Sequence, residues 1–297
     1  MTTDRLAHPS PPARFPRPDR PHGRGRRARR PHPVVGAVLV LVSIAVLFPF
    51  VWMLLTSFKT MGESLQRPPT ILPETWVLSN YTRVFETIPF ATQLLNTVIV
   101  TGATVVLTVT FASMAAFGLE IVRMPGRRII LLVLLTVTMV PGEIFMVPQY
   151  QIFARAQLTD TLIALILPSV FSAFGAFLLA QSFRGFPREL IEASLLDGAG
   201  YLRIFAQIVL PNVKAPLTAL GVMTMLGSWN DLLWPIIVNR SPDKLTLGPG
   251  LAMLRGTYVT DMPLLMAAGV MGAAPMVIVF LLAQRQFTQS FAQSGIK

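Results

Sequence analysis

The segment of residues 192–211 holds the side chains of this chain that are best suited to recognising a partner protein. Glu192 places one carboxylate beside the small residues Ala193 and Ser194, and Gly198 follows shortly after them. Small side chains allow the backbone of a partner to approach closely. The segment contains neither histidine nor cysteine, which disfavours histidine or thiol catalysis. It suits the docking of a partner, and the alternative is an ordinary amphipathic helix at the membrane surface.

A short helix, a turn and a second short helix must position these side chains. Pro187 suits a first helical position, and Glu192 suits the positive end of a helix dipole. Gly198 and Gly200 prolong a helix only at a cost, so they predict the turn. The second helix should end near Pro211 and present one apolar stripe, formed by Leu202, Phe205 and Ile208.

The composition is that of a membrane protein, with 53% hydrophobic residues and a mean hydropathy of +0.59. The chain has no cysteine, which excludes disulfides, iron–sulfur clusters and thiolate metal sites. Its three histidines all lie within the first 32 residues. We therefore expect no cofactor and no metal, and a membrane-embedded enzyme is disfavoured because the apolar runs also lack paired carboxylates.

Six apolar runs are long enough to cross a bilayer, which takes about 20 helical residues. The sequence therefore predicts an all-α integral membrane protein with six transmembrane helices, at about 34–55, 94–118, 129–147, 161–183, 217–238 and 262–284. Residues 34–297 would form one transmembrane domain, in which the polar loop (residues 184–216) joins the fourth run to the fifth. In a loop on the other side, Gly248, Pro249 and Gly250 are interpreted as a turn.

The basic residues predict that both termini are cytoplasmic. With six spans, 18 of the 25 Lys and Arg residues fall on the side that holds the N-terminus and the polar loop. Half of these lie in residues 1–33, which also contain eight prolines and are expected to form a disordered tail. The tail either only sets orientation or also contacts anionic lipid. The net charge of +11 thus does not indicate a nucleic-acid partner.

Three polar or aromatic residues inside the fifth apolar run are candidates for a cargo path. Asn and Asp bond to sugar hydroxyls and a sugar face stacks on an aromatic ring, so Trp229, Asn230 and Asp231 would suit the outer part of such a path. The alternative is that Asn230 and Asp231 hold a helix kink ahead of Pro235 and never meet cargo.

Glu143, in the third run, is a further candidate for the cargo path. It directly follows Pro141 and Gly142, which should break the helix at this point. A structural role is the alternative, in which Glu143 bonds to the backbone amides that the break leaves free or to a neighbouring helix.

The polar loop resembles the cytoplasmic EAA loop of bacterial ABC importer permeases. The residues that carry the resemblance are Glu192, Ala193, Ser194, Asp197, Gly198, Ile208, Leu210 and Pro211. Ser194 stands where the family usually has alanine, a change that keeps the side chain small. From Val34 onward the chain is also similar to the maltose-type branch of carbohydrate permeases, at residues 54–59, 141–143, 229–231 and 234–235.

This resemblance implies a multi-pass permease subunit in a bacterial plasma membrane that imports a sugar or oligosaccharide by alternating access. The eight matching residues of the polar loop would couple it to a separate ATPase. ATP would be bound by that partner, and the sequence indeed lacks the G-x-x-x-x-G-K-[ST] phosphate loop. The implied partners are a second homologous permease, two ATPase subunits, an extracytoplasmic sugar-binding protein and membrane lipid.

Two alternative functions stay open at this point. The cargo of the same kind of importer could be glycerol phosphate or an amino sugar, which the sequence does not separate from a neutral sugar. An ion-coupled secondary transporter would need ionisable relays and usually an inverted repeat, whereas the apolar runs offer only Glu143 and Asp231.

Overall fold

The structure, a computed structural model, describes residues 33–256 and 260–294, with side chains described at 34–256 and 260–281. The tail expected at residues 1–33 lies outside this range apart from Pro33. The chain divides into two units, Met1–Phe48 and Pro49–Lys297. The described part of the first unit is a charge-free helical segment, and all contacts given below lie within the second unit.

Helices make up the secondary structure of the described residues, and no strand occurs among them. A helix pairs its own backbone amides and carbonyls, which an isolated segment in hydrocarbon requires. The α-helices are α1 (Pro33–Thr56), α2 (Met61–Ser64), α3 (Ser79–Thr87), α4 (Phe90–Phe117), α5 (Arg127–Thr138), α6 (Met146–Arg155), α7 (Leu162–Val170), α8 (Ala173–Arg184), α9 (Arg188–Leu196), α10 (Tyr201–Ile204), α11 (Leu210–Asn212), α12 (Lys214–Trp229), α13 (Leu233–Val238), α14 (Leu247–Met253) and α15 (Met262–Ser294). Short 3-10 helices occupy Gly142–Phe145 and Pro242–Lys244, and π-helical turns occupy Gly118–Val122 and Phe205–Val209.

Four helical stretches among the described residues are long and apolar enough to cross a membrane. They are Val34–Thr56, Phe90–Val122, Leu162–Arg184 and Met262–Leu281, and they coincide with the first, second, fourth and sixth expected spans. Two further helix pairs reach this length only if each is counted across a sharp bend. The described part of the chain therefore holds four to six candidate spans.

The third expected span, 129–147, is bent in the middle. α5 ends at Thr138, and the helical stretch Gly142–Arg155 continues at 91° to it. Pro141 and Gly142 lie at the bend, as the sequence predicts. Proline has no amide hydrogen to donate and its ring clashes with the preceding helical turn, so the helix direction changes there.

The fifth expected span, 217–238, is likewise not one helix. α12 ends at Trp229, residues 230–232 are non-helical, and α13 follows. The break precedes Pro235 and is not caused by it, because Pro235 lies in the first turn of α13, where its missing amide hydrogen has no helical partner to lose. At its other end α12 is joined to Tyr201–Asn212 at an angle of 82°.

α4 forms the centre of the second unit and packs against α7, α8 and α12. One of its faces carries polar side chains at intervals of one to four residues, each at most 7% exposed. We call this row the polar seam; it consists of Gln93, Asn96, Thr97, Thr101, Thr104 and Thr108. Because lipid offers no hydrogen bonds, such side chains must face protein or a water-filled cavity.

The part of the polar seam near the start of α4 binds the segment that connects α13 to α14. The Asn96 amide donates to the carbonyl oxygens of Asp243 at 2.8 Å and Leu245 at 2.9 Å. The backbone N–H of Leu247 donates to the Thr97 hydroxyl at 2.7 Å. The side chains of α4 thus replace the partners that a regular helix would have supplied to this irregular backbone.

Asp160 ties the same segment to the loop that precedes α7. Its carboxylate accepts bonds from the Ser241 hydroxyl and from the backbone N–H groups of Ser241 at 3.0 Å and Arg240 at 3.1 Å. The bonds from Ser241, that of the hydroxyl first, hold the pKa of Asp160 below its ordinary value. This contact therefore stabilises the fold above the unfolded pKa and loses that effect as pH falls through the lowered pKa.

Gly248, Pro249 and Gly250 do not form the expected turn; that interpretation was wrong, because all three lie in α14. The proline is accommodated in the first helical turn. Gly250 lies so close to the polar seam that an added Cβ would be 1.8 Å from Gln93 Oε1 and 2.4 Å from its Cδ. Gln93 is fully buried and donates to a carbonyl of the neighbouring segment, so it has no room to withdraw.

We expect Gly250→Ala to lower the free energy of unfolding by about 1–3 kcal/mol, as over-packing does in a well-packed core. Gly102→Ala is the matched control, because Gly102 lies on α4 with no atom within 4 Å of an added Cβ. This control should be neutral or stabilising by up to about 1 kcal/mol. Thermal unfolding in detergent measures both, and equal melting temperatures for wild type and Gly250→Ala would contradict the close approach of α14 to Gln93.

Candidate functional site

The polar loop folds as the helix–turn–helix that the sequence predicts, with α9 and α10 on either side of residues 197–200. Gly198 has φ +78°, a left-handed conformation that side chains with a Cβ rarely adopt. The N–H groups of Gly198 and Ala199 donate to the carbonyls of Leu195 and Ser194, each at 3.0 Å, and so close the end of α9. Gly200 has φ −71°, which any residue can adopt.

Glu192 and Ala193 are exposed on α9, as a docking surface requires. Ser194 is not: it is buried, and its hydroxyl donates to the carbonyl of Leu190 at 2.5 Å. Two of the three side chains are therefore open to a partner, and the third is not. The small size of Ser194 instead allows α9 to pack against the helical bundle.

Two large apolar side chains flank the turn and face outward. Leu196 is 90% exposed at the end of α9, and Leu202 is 79% exposed at the start of α10. Asp197, between them in sequence, is also exposed. Leucines so fully exposed outside the apolar runs indicate a surface that a partner covers.

The predicted apolar stripe of Leu202, Phe205 and Ile208 is wrong for Leu202, which is exposed. Ile204 and Val209 are the fully buried residues of this helix, while Phe205 and Ile208 are half-buried against the same apolar cluster. The π-helical turn at Phe205–Val209 inserts an extra residue, so inward-facing positions are five residues apart. An α-helical period could not anticipate this, and Leu202 is left facing solvent.

Leu210 and Pro211 form the start of α11, which continues one residue past the expected end to Asn212. Leu210 is half-buried and Pro211 is exposed. The sharp bend into α12 follows directly. These two residues therefore mark the point at which the polar loop returns to the bundle, whereas Glu192 and Ala193 lie on its outward surface.

A buried carboxylate that sequence reasoning missed fixes the bundle beside the polar loop. The side chain of Glu120 is 4% exposed and forms ion pairs with Arg127 at 3.5 Å and Arg184 at 3.2 Å. Arg127 opens α5 and Arg184 closes α8, so one carboxylate joins three segments. The available signal was a single acidic residue at the end of a long charge-free run, which needs a buried partner.

An apolar cluster continues from this ion-pair group into the polar loop. It contains Phe117 of α4, Leu131 of α5, Phe183 of α8, Ile191 of α9 and Ile204 of α10, each 9% exposed or less. Burial of such side chains contributes about 1.5–3 kcal/mol each. The polar loop is thus attached to the bundle by packing over both of its helices.

The proposed cargo-path residues of the fifth run lie at the break between α12 and α13. The exposed Asn230 donates to the carbonyl of Leu226 at 2.9 Å, and Asp231 Oδ1 accepts from the N–H of Trp234 at 3.4 Å. Asn230 thus closes α12 and Asp231 opens α13, which favours the role of holding the break. Trp229 and Asp231 are half-buried, so both also keep atoms open to a cargo.

Glu143 lies in the 3-10 helix at the bend of the third expected span and is exposed. Its carboxylate makes no hydrogen bond or ion pair with any described residue, so the expectation that this side chain bonds the freed amides was wrong. None of the contacts among the described residues joins Glu143 to residues 229–231.

A cavity of about 340 Å³ lies between α4, α12 and the junction of α7 with α8. Most of its polar lining is hydroxyl groups, and none of the described residues that line it is charged; they are Thr104, Thr108, Pro168, Ser169, Phe171, Ser172, Thr224, Gly227 and Ser228. Thr104 is 1% exposed, and its hydroxyl has no partner within the described part of the chain. Sequence reasoning missed this site, although threonines at 97, 101, 104 and 108 in a charge-free run were a signal.

The described residues contain no group of three His, Cys, Asp or Glu side chains that could hold a metal ion. What they contain is a helical bundle with apolar spans, an uncharged hydroxyl-lined cavity and a protruding helix–turn–helix. These features define a transport subunit of the membrane.

The chain belongs to the family of binding-protein-dependent transport system inner membrane components, which matches residues 27–293. It is therefore a permease subunit of an ABC importer. The family that the motif of the polar loop indicated is therefore confirmed.

Several relatives and one solved structure resemble the chain over most of its length. The arabinooligosaccharides transport system permease protein AraQ of Halalkalibacterium halodurans is 33% identical, over 91% of this chain and 99% of the relative. The diacetylchitobiose uptake system permease protein NgcG of Streptomyces coelicolor is 34% identical, over 88% and 87%. A crystal structure of a bacterial ABC transporter involved in import of the acidic polysaccharide alginate shares the fold, with a TM-score of 0.76 at 22% identity over 85% of this chain and 95% of that one.

We expect Glu120→Gln to lower the free energy of unfolding by about 1–3 kcal/mol, because two arginines lose their charged partner. Arg83→Gln is the matched control, since it removes the more exposed pair between Arg83 and Asp261 and should cost less than about 1 kcal/mol. Melting temperatures of the purified variants measure the difference. A Glu120→Gln protein as stable as Arg83→Gln would show that the buried carboxylate does not fasten α5 and α8.

Proposed function

We propose that this permease imports a neutral sugar or oligosaccharide across a bacterial plasma membrane by alternating access. In this proposal it crosses the membrane six times with both termini in the cytoplasm. It pairs with a second homologous permease, two ATPase subunits that bind ATP, and an extracytoplasmic sugar-binding protein. The chain itself transports and does not hydrolyse ATP.

The hydroxyl-lined cavity is the observation that carries the cargo class. Sugars present many hydroxyl groups and no charge, and the cavity offers hydroxyls and one aromatic ring, Phe171, without a charged side chain among the described residues that line it. The names of AraQ and NgcG, which refer to arabinooligosaccharides and diacetylchitobiose, support the same class.

Glycerol phosphate is the second candidate cargo, because the sn-glycerol-3-phosphate transport system permease protein UgpE of Yersinia pestis is 30% identical to this chain. A phosphate would favour arginine or lysine in its path, and the described residues that line the cavity include neither. An amino sugar would favour a carboxylate such as Asp231. Ion-coupled transport finds no support, because a member of a binding-protein-dependent family would receive its energy from a partner ATPase.

The polar loop suits the transmission of force from the ATPase. Glu192, Ala193, Leu196 and Leu202 form its exposed surface, and Ile204 and Ile191 pack inward. An ATPase that grips the exposed surface and closes on ATP would therefore move the loop as one body with the bundle. The bundle would then rock, and the cavity would open alternately to the two sides.

The basic residues support a cytoplasmic position for the polar loop. Arg123, Arg127 and Arg128 of the preceding expected internal loop line one cavity together with Arg184 and Arg188 of the polar loop. The two segments therefore lie at the same end of the bundle. By the positive-inside rule, this gathering of arginines supports the proposal that this end faces the cytoplasm.

We expect Gly198→Ala to uncouple ATP hydrolysis from transport. A Cβ at φ +78° costs about 1–2 kcal/mol in the left-handed region, so the turn that presents Glu192 and Leu196 would shift. Basal ATPase activity of the complex should persist, while stimulation by the loaded binding protein and uptake should fall by roughly tenfold. Reconstituted vesicles allow uptake and ATPase activity to be measured together.

Gly200→Ala is the control for that experiment, since Gly200 has an ordinary φ of −71° and open space around it. It should transport normally. Normal stimulation and uptake in Gly198→Ala, or equal losses in both variants, would count against the polar loop as the coupling element.

We expect cargo contact at the cavity and the α12–α13 break to be separable from stability. Thr104→Val removes a hydroxyl without a partner, and Asp231→Asn keeps an oxygen that can accept from Trp234. Both variants should therefore fold normally, while the KM for uptake rises about fivefold to thirtyfold as a contact worth about 1–2 kcal/mol is lost. Thr110→Val, on the exposed face of α4, is the control.

Arabino-oligosaccharide, diacetylchitobiose and lactose are first compared for how strongly each stabilises the binding protein. Uptake of the sugar that stabilises it most, into vesicles supplied with that binding protein, then measures these KM values. A raised KM for Asp231→Asn alone would place cargo at the break, and one for Thr104→Val alone would place it in the cavity. Unchanged values for both variants would remove both sites from the path and leave Asn230 and Asp231 as helix caps.

A further inference from the structure

A cavity of about 430 Å³ beside the polar loop has an unusual charge pattern. Five arginines line it, namely Arg123, Arg127, Arg128, Arg184 and Arg188, and the carboxylates among its lining residues are Glu120 and Glu192. We call it the arginine cavity. Positive charge thus exceeds negative charge in a concave site, which attracts and concentrates anions.

The arginines divide into a paired and an unpaired set. Arg127 and Arg184 are held by the buried Glu120. Arg123, Arg128 and Arg188 form no ion pair or side-chain hydrogen bond with any described residue, and all three are exposed. Three unpaired guanidinium groups thus line one cavity, and arginine is well suited to bind phosphate oxygens through paired N–H donors.

The backbone adds to the same positive field. α5 begins at Arg127 and has no acidic residue in its first turn, whereas α9 begins at Arg188 and has Glu189 in its first turn. Basic side chains at the positive end of a helix dipole are unfavourable unless an anion lies nearby. Arg123 adopts φ 61°, a strained conformation for a residue other than glycine, and such strain gathers at functional sites.

An apolar groove continues from the arginine cavity along α5. The adjoining cavity of about 480 Å³ shares Arg123, Arg127 and Arg128 and is completed by Met124, Gly126 and Ile129. Beyond it the outward face of α5 carries Ile129, Leu132 and Val133, which are 69%, 63% and 53% exposed. A soluble anion would use only the arginines, whereas a phospholipid would use both the arginines and the groove.

We propose that the arginine cavity binds an anionic phospholipid, with the headgroup phosphate between Arg123, Arg128 and Arg188 and an acyl chain along α5. The lipid bridges the start of α5 to the first turn of α9, and so it stiffens the junction between the bundle and the polar loop. This inference rests on the proposed function only for the position of the polar loop at the membrane surface. Basic pockets between transmembrane helices on the cytoplasmic side suit such headgroups.

The test is lipid retention by the full-length chain, purified through a tag together with the subunits that accompany it. The triple variant R123Q/R128Q/R188Q removes the unpaired charges and leaves the Glu120 pairs intact. Native mass spectrometry after exchange into mixed phosphatidylglycerol and phosphatidylcholine measures bound lipid. Wild type should retain phosphatidylglycerol selectively, and the triple variant should lose this selectivity by about tenfold or more.

Two controls separate charge at this site from general effects. R203Q removes an arginine of the polar loop that bonds Gln207 and does not line the cavity, so its lipid retention should equal that of wild type. R123K/R128K/R188K keeps the charges and should retain much of the selectivity, which excludes misfolding as the cause of loss in the glutamine variant.

Equal retention in wild type and R123Q/R128Q/R188Q would overturn the proposal. Displacement of the retained lipid by millimolar inorganic phosphate would also overturn it and assign the cavity to a soluble anion. Because retention is measured without cargo or ATP, failure here would leave the importer function untouched. Conversely, failure of Gly198→Ala to uncouple transport would not alter the lipid result.

Discussion

The requirement that every polar group in a bilayer finds a partner within the protein governs this structure. α4 meets it with the polar seam, and the irregular stretches of the second unit lie against it. Asn96 and Thr97 bind the segment between α13 and α14, and the Thr108 hydroxyl donates to the carbonyl of Ser169 near the α7–α8 junction. Non-helical backbone is tolerated at membrane depth only where protein or a cavity satisfies it. The irregular backbone at these two places is therefore possible because α4 passes beside it.

The breaks, in turn, create the space that a transporter needs. A bundle of straight helices would close on itself, whereas the junction at Phe171 and Ser172 leaves room for the hydroxyl-lined cavity against Thr104. The polar seam thus has two consequences. Asn96 and Thr97 bond to backbone and so fix the fold locally, whereas the buried Thr104 hydroxyl is left without a partner in the described part of the chain.

Local chemistry determined which features could be predicted from the sequence. The bend at Pro141 and the turn at Gly198 follow from the conformations that proline and glycine allow, and both occur where expected. The burial of Ser194 and the exposure of Leu202 could not be predicted in this way. A serine does not reveal in which direction it faces, and a π-helical turn leaves no clear mark in the sequence. The break after Trp229 is held by its own residues, since Asn230 bonds Leu226 and Asp231 bonds Trp234, and the sequence offered this role as an alternative to a cargo path.

Coupling between the two ends of the bundle must be mechanical. Thr104 and Glu120 are 16 positions apart along a helix, about 24 Å at 1.5 Å per residue, and the stretch between them contains no charged residue. An electrostatic relay therefore has no carrier along α4. Close packing between helices can transmit a displacement instead. A Cβ added at Gly175 of α8 would lie 3.2 Å from Leu220 of α12, and one added at Gly221 of α12 would lie 3.7 Å from Val105 of α4. Helices in such contact cannot shift independently, so in the proposed mechanism a displacement that enters through α9 would reach the cavity.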